Sequence, residues 1–296
     1  MSKKLLIGFI GQGWIGKNYA DDFENRGYKV IRYSLEPAFV ENKDKIADCD
    51  IVFVAVPTPT TKKGFDDSIL IKALEVTGRG SLVVIKSTIP IGKTLELQKK
   101  FKDRYIVHSP EFLVEATARF DASNPERNII GIPHQTKKYK DLAKKIMSVL
   151  PPAPFALICL SNEAEMIKYA HNIHGYFEIV LTNILYDMSK ETGMDWDVLK
   201  KSFEADRMMS KYYLNPVHKS GRGAGGHCFV KDFEAFIEMY KKILGADSGL
   251  RVLESVRNKN ISLLTSTKKD LDILGGVYKK SLLQKTSEIK RKKPKK

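Results

Sequence analysis

Short apolar runs alternate with longer amphipathic stretches through the first half of the chain. Leu5–Ile10, Lys29–Tyr33, Ile51–Val56, Ser81–Lys86, Tyr105–Val107, Ile129–Gly131 and Phe155–Ile158 are brief, rich in β-branched residues and closed by Gly, Pro or Asp, so they read as strands. Ile15–Asn25 and Lys93–Phe101 carry helical spacing between them. This alternation predicts an α/β fold built on a doubly wound parallel sheet covered on both faces. The texture changes after Pro151-Pro152-Ala153-Pro154. From Ser161 to about Thr192 there is neither proline nor strand signal, and Ser161 stands as an N-cap ahead of Glu163 and Glu165. One helix is implied, roughly 45 Å long at about 1.5 Å per residue. Further helical stretches follow at Asp195–Phe203, Asp232–Leu244 and Leu250–Leu264, with a glycine-rich loop at Gly221–Gly226. The expected division is a sheet domain over 1–158, an all-helical domain with a long central helix over 159–265, and a basic, disordered tail over 266–296.

A helix of that length is too long to serve only as a crossover on a sheet. Its apolar positions Met166, Ile173, Phe177, Val180 and Ile184 need an apolar surface to cover them. A homodimer through the long helix is expected; packing within the chain's own helical half is the alternative.

Composition narrows the class. With 296 residues and 43% hydrophobic content, the chain can bury more than one core. No apolar run approaches the roughly 20 residues a bilayer demands, so no membrane partner is expected, and Lys3-Lys4 before Leu5–Ile10 lacks a cleavage site. Cys49, Cys159 and Cys228 are scattered and form no CxxC pair, which argues against a disulfide framework or a metal site and for a reducing, cytoplasmic setting. The net charge of +15 is largely terminal: Lys279 to Lys296 hold nine basic residues against Glu288, or +8 of the total. Such a run is a solvated tail first and a nucleic-acid contact second.

Gly11-Gln12-Gly13-Trp14-Ile15-Gly16 directly follows the first strand and opens the first helix. In that context G-x-G-x-x-G predicts a dinucleotide site: Gly11 permits the tight turn, Gly13 lets backbone approach a pyrophosphate, Gly16 allows helix to pack on strand, and the helix dipole faces the phosphates. The acid expected at the end of the second strand is replaced by Ser34, and Arg32, Ser34 and Glu36 suit either a 2′-hydroxyl or a 2′-phosphate, so NAD and NADP both stay open.

Five further segments occur in order: Val56-Pro57-Thr58-Pro59-Thr60, Lys86-Ser87-Thr88-Ile89-Pro90-Ile91-Gly92, Ser109-Pro110-Glu111-Phe112-Leu113-Val114-Glu115, Glu163 to Asn172, and Gly225-Gly226-His227-Cys228-Phe229-Val230-Lys231-Asp232. Together they resemble the UDP-glucose/GDP-mannose dehydrogenase family over residues 5 to 260. The resemblance implies a Rossmann-like first domain, NAD as cofactor, a nucleotide sugar as substrate and its oxidation from alcohol to acid. It also implies that Trp14, Ile15, Ser34, Thr58, Thr88, Glu115 and Lys231 join the three glycines around the cofactor. Phe112, Leu113, Glu111, Glu115, Lys168, Asn172 and Gly225 would meet the substrate. Members normally continue into a second nucleotide-binding domain, for which no room is apparent after Asp232.

The chemistry accounts for these residue types. Oxidation of a primary alcohol to an acid needs two hydride transfers, and the intermediate aldehyde must be held. A thiolate at Cys228 would add to it as a thiohemiacetal, a second hydride loss would leave a thioester, and water would release the carboxylate. A lone cysteine is otherwise a small buried hydrophobe. Lys168 and Asn172, four apart on one helix, share a face, and the resemblance makes both donors to the oxyanion. Asp232, four residues from Cys228, would orient water or simply cap a helix; Glu111 would assist proton transfer, and Thr88 would hold water or the nicotinamide end. Two other readings compete: a two-electron hydroxyacid dehydrogenase, and a non-catalytic dinucleotide-binding protein. A cysteine–histidine hydrolase using His171, His174 or His227 would leave the glycine turn unexplained.

Overall fold

The computed structural model describes residues 5–288. In chain order the elements are β1 (Leu6–Ile10), α1 (Trp14–Asn25), β2 (Lys29–Tyr33), β3 (Ile51–Val54), a small hairpin of β4 (Thr60–Thr61) and β5 (Gly64–Phe65), α2 (Ser68–Val76), β6 (Leu82–Ile85), α3 (Lys93–Lys100), β7 (Tyr105–His108), α4 (Ala118–Ser123), β8 (Arg127–Ile132), α5 (Lys137–Val149) and β9 (Phe155–Leu160). They are followed by α6 (Ser161–Glu191), α7 (Trp196–Ala205), a second hairpin of β10 (Val217–His218) and β11 (Gly221–Arg222), α8 (Gly226–Leu244), α9 (Ser248–Ser266), α10 (Leu271–Val277) and α11 (Lys280–Glu288). All seven runs read as strands enter one sheet, ordered β2-β1-β3-β6-β7-β8-β9. Two compact units result, Met1–Pro59 with Asp66–Lys168, and Thr60–Phe65 with Tyr169–Lys296.

In the first unit β3 and β6, reading IVFV and LVVI, are buried at every position, the uninterrupted apolar signature of strands covered on both faces. Phe53 stacks on Phe9 at 4.9 Å, and Phe23 from α1 meets Phe9 edge-on at 5.4 Å, which seats the helix on the sheet. The sheet is parallel from β2 through β7, but β8 runs antiparallel to β7 and carries β9 with it. The expected parallel sheet is thus present, with one antiparallel step between β7 and β8.

α6 begins at Ser161 itself, and the back-reaching carboxylate of Glu163 accepts the Leu160 N–H at 2.7 Å, where Ser161 had been expected as the cap. The first unit extends to Lys168, ten residues past the expected boundary, because the first turns of α6 lie on the sheet: Ala164 is fully buried beside Ile129 and Cys159, and a Cβ on Gly131 would come within 2.6 Å of it. The hairpin Thr60–Phe65 groups with the second unit and packs on α8, an excursion for which no sequence signal was recognised.

The second unit is organised around Tyr176 of α6 and Phe233 of α8, stacked at 3.8 Å, with Val180, Leu250 and Leu253. Ile173, Phe177 and Val180, three of the five positions expected to seek a partner subunit, pack here within the chain. Leu181, Ile184 and Met188 remain exposed on the same helix. The expectation of disorder from residue 266 is also corrected: α10 and α11 are helices, and Leu274, Val277 and Tyr278 bury against Val230, Ile261 and Leu264. Charge counting had masked that apolar face. Lys290 to Lys296, the densest part of the basic run, lie outside the described residues.

Two titratable groups are buried at the strand ends of the first unit, Lys86 just after β6 and His108 as the last residue of β7. Lys86 follows β6 at 3% exposure, its Nζ 3.3 Å from the Ser109 hydroxyl and 4.3 Å above the Tyr19 ring. Burial pushes its pKa down to about 7, with the Lys168 charge adding to the fall and Glu111 opposing it. Burial likewise lowers His108 to about 3, so its ring, 3.3 Å from the Ser87 carbonyl, is neutral across the physiological range.

Two outcomes follow. Tyr278→Ala, a truncation at a 2%-exposed aromatic, should destabilise the protein by about 3–5 kcal/mol in denaturant unfolding, whereas a disordered tail would make it silent. Lys86 binds its proton less tightly folded than unfolded, so between about pH 7 and 10.5 the unfolded chain holds more protons and stability rises with pH. Lys86→Met should flatten that rise by up to about 1.4 kcal/mol per pH unit, read as the difference between the two stability–pH curves.

Candidate functional site

The glycine turn has the form a pyrophosphate requires. Gly11 adopts φ +91°, and a Cβ there would sit 2.2 Å from the Ala55 carbonyl; its N–H donates to the Tyr33 carbonyl at 2.8 Å, tying the turn to the end of β2. A Cβ on Gly16 would meet the Gly11 carbonyl at 2.0 Å. Gly13 is different: it is exposed, and the place of its missing Cβ has nothing within 4 Å. It also starts α1 without a side-chain cap, leaving the first helical N–H groups for an anion. Trp14 is 38% exposed and Ile15 partly so. The residues present therefore fit a dinucleotide phosphate. At the end of β2, the Ser34 hydroxyl accepts the Glu36 N–H at 3.2 Å, while Arg32 lies 2.7 Å from Asp21 and 2.6 Å from Glu24.

Elsewhere in the first unit, Thr58 is buried and its hydroxyl donates to the Thr88 carbonyl at 2.8 Å, so the two threonine loops brace each other. The Thr88 loop is held from below by Glu165, which the sequence reading had passed over. Its fully buried carboxylate accepts the N–H groups of Gly92 and Thr94 and the Thr94 hydroxyl, capping α3 from α6, and burial holds its pKa above the usual carboxylate range. A carboxylate on the inward face of α6 opposite a bare helix start at Gly92 was the signal that could have found it.

Glu111 and Glu115 part company. Glu111 is 3% exposed; one carboxylate oxygen accepts from Lys168 Nζ at 2.9 Å and the other from the Leu113 N–H at 2.8 Å. Glu115 is exposed and opens a short 3₁₀ turn. Lys168, itself 4% exposed, also stands 5.5 Å from the Phe112 ring. A lysine so placed is held by its ion pair, since losing one partner of a buried pair costs about 3–5 kcal/mol.

In the second unit, Asn172 is one helical turn beyond Lys168 on α6 and is 7% exposed. Its amide donates to Asp232 Oδ2 at 2.6 Å, and the other Asp232 oxygen takes Lys231 Nζ at 2.5 Å. α8 begins six residues earlier than expected, so Asp232 is no N-cap: it is a 1%-exposed residue in the second turn, and Cys228 sits in the first, exposed to solvent. Cys228 and Asp232, four residues apart, share a face of α8. Cys49 and Cys159 are buried, and burial pushes their thiols up to about 12 and about 11, which marks them as inert. Gly225 has its Cβ position filled by the chain itself, with Asp270 Oδ2 at 2.0 Å and Lys269 Cε at 2.8 Å.

The structure thus joins Lys168 to Glu111, Asn172 to Asp232, and Thr58 to Thr88; it places Ser34 and Lys231 in contacts of their own and Glu115 exposed at the start of a 3₁₀ turn. Comparison with known proteins gives these pairings a context. Residues 36–150 match the NAD binding domain of the UDP-glucose/GDP-mannose dehydrogenase family, and residues 162–262 match that family's central domain; its C-terminal domain is not matched. UDP-glucose 6-dehydrogenase TuaD of Bacillus subtilis is 32% identical over 248 residues, 73% of this chain and 52% of its own. UDP-glucose 6-dehydrogenase of Campylobacter jejuni is 26% identical over 300 residues, 93% of this chain and 72% of its own. The structure of a UDP-glucose dehydrogenase from Pyrobaculum islandicum aligns with a TM-score of 0.73 at 25% identity, over 90% of this chain and 72% of that one. The chain spans about half the length of the Bacillus relative. With both matched domains in order on a fold of this kind, the chain belongs to the UDP-glucose/GDP-mannose dehydrogenase family.

Proposed function

We propose that this chain oxidises the primary alcohol of a nucleotide sugar of the UDP-glucose kind to the carboxylate, with Cys228 as nucleophile. The observation that carries the reading is the exposed thiol of Cys228 in the first turn of α8, one turn before a buried Asp232 that Asn172 and Lys231 hold in place. Thr88, Thr58, Ser34 and Glu115 would stand with the Gly11–Gly16 turn around the dinucleotide. NAD is favoured over NADP because Arg32, the cation at the end of β2, is already engaged by Asp21 and Glu24, whose charges would repel a 2′-phosphate. Two NAD molecules bound in succession at that turn would each accept one hydride as the hydroxyl proton is released to solvent, one for alcohol to aldehyde and one for thiohemiacetal to thioester.

The chain's own residues supply the rest. The amine of Lys168 and the amide of Asn172 would donate to the oxygen on the reacting carbon as it gains negative charge. The sulfur of Cys228 adds to the aldehyde carbon, its proton passing to that oxygen, and the intermediate stays covalently bound. Water attacks the thioester carbon, and the C–S bond breaks to return the thiol and free the acid. Asp232 would orient that water, and Glu111 would take up its proton through the contact it shares with Lys168. Phe112 and Leu113, on the segment that bears Glu111, would line the sugar.

We further propose a homodimer built on the exposed stripe Leu181, Ile184 and Met188 of α6. The solution mass should be twice that of one chain, and Leu181→Glu with Met188→Glu should return it to a single chain.

The activity is tested by mixing UDP-glucose with NAD and counting products: two reduced nicotinamides should appear per sugar acid. One per sugar would make the chain a two-electron dehydrogenase instead. Cys228→Ser should lower acid formation by at least about 10³-fold, while a variant that makes acid at the wild-type rate would remove the thiol from the mechanism.

A further inference from the structure

The residues that immediately precede Cys228 are held almost one by one from another part of the second unit. The Arg222 N–H donates to the Thr267 hydroxyl oxygen at 3.1 Å, the Gly223 carbonyl accepts from Lys269 Nζ at 3.0 Å, and the Gly226 N–H donates to Asp270 Oδ2 at 2.8 Å. Asn260 of α9 closes the series, its amide donating to the Ala224 carbonyl at 2.9 Å and accepting the Ala224 N–H at 2.7 Å. α8 starts at Gly226, its N-cap Gly225 has no side chain to cap it, and the exposed Gly226 N–H is taken by the carboxylate of Asp270 in place of solvent. The fit is close: a Cβ on Gly221 would come 2.4 Å from Thr267 Oγ1, and one on Gly225 would come 2.0 Å from Asp270 Oδ2.

The segment that supplies these contacts is itself costly to form. Lys268 and Asp270 both lie in the left-handed region, with φ of +57° and +52°, and Lys269 between them is 6% exposed with its ammonium turned inward. Lys268 is the left-handed residue that closes α9, the Lys269 N–H donating to the Leu264 carbonyl at 2.9 Å; the strain at Asp270 persists because surrounding contacts over-determine it, its carboxylate being held on the Gly226 N–H.

We propose that the turn Thr267–Asp270 is a positioning element for the nucleophile: Asp270 caps α8 from a distance, and Lys269 clamps the loop before it, so that the first turn carrying Cys228 has one orientation. Neither residue is catalytic. The inference rests on Cys228 being the nucleophile, and it explains why glycines precede that cysteine without invoking the substrate: the chain's own turn fills the space at Gly221 and Gly225.

The test uses the full chain and two readouts, hydrogen–deuterium exchange of the peptide Arg222–Phe229 and steady-state oxidation of UDP-glucose. Asp270→Ala should raise early exchange in that peptide and lower kcat by about 10²-fold with KM for the sugar nearly unchanged, as expected when a reacting group is misplaced by about 1 Å. Asp270→Asn keeps an acceptor in place and tolerates the left-handed backbone, so it should restore both readouts to within about threefold of wild type. Lys269→Met, which keeps the apolar stem, should show the same pattern more weakly even if Asp270→Ala proves unstable. The proposal is overturned if the alanine variant leaves exchange and kcat as they were, if asparagine rescues no better than alanine, or if the loss falls on KM alone. Should the wild-type chain make no sugar acid, the dehydrogenase reading fails on that result, and the exchange measurement decides the latch independently.

Discussion

The ion pair between Lys168 and Glu111 sets the terms for the first unit's site. A lysine ammonium at 4% exposure and a carboxylate at 3% survive inside a protein only by satisfying each other, and here they meet at 2.9 Å. The pair binds the start of α6 to the loop after β7, and Glu165, one turn earlier on the helix, binds it to the start of α3. Two buried carboxylates, Glu111 on a loop and Glu165 on α6, thus tie one helix to two loops, and these loops are the ones that present Thr88, Glu111 and Phe112.

The second unit repeats the device with different chemistry. Asp232 is taken by an amide from α6 on one oxygen and an ammonium on the other, and this fixes the second turn of α8. The first turn, with Cys228, receives its cap from Asp270 rather than from its own sequence. Asn172 lies 60 positions from Asp232 and Asp270 lies 44 from Gly226 along the chain, so these two points of the second unit are fixed by long-range hydrogen bonds and not by local propensity alone.

The same arrangement accounts for the state of the titratable groups. Lys86 and His108 are drawn toward their neutral forms because burial penalises the charged ones, and Lys86 has a hydroxyl and an aromatic ring for company where Lys168 has a carboxylate. Cys49 and Cys159 are made inert by the same cost of burial, which leaves the exposed Cys228 as the thiol on which chemistry can draw.

Much of this protein was legible in its residues. Strands such as Ile51–Val54 and Leu82–Ile85 announce themselves because a strand buried on both faces must be apolar at every position, and the run from Ser161 to Glu191 shows as one helix because nothing in it breaks. The glycine turn was readable for a related reason: only glycine takes the φ of Gly11, so the backbone's demand is written as a residue type. The family could be recognised because its signature segments stand in order, with Lys168 and Asn172 set four apart by helix geometry. What the sequence did not disclose is every decision made by a contact between distant positions. The reversal at β8, the hairpin Thr60–Phe65 grouping with the second unit, the burial of Tyr278 within a segment whose charge suggested solvent, the helix starting at Gly226, and the Asp270 cap all depend on which surfaces meet. Local pattern specifies what each segment can become; the cost of burying an unsatisfied polar group or leaving an apolar face in water is settled only when the segments pack.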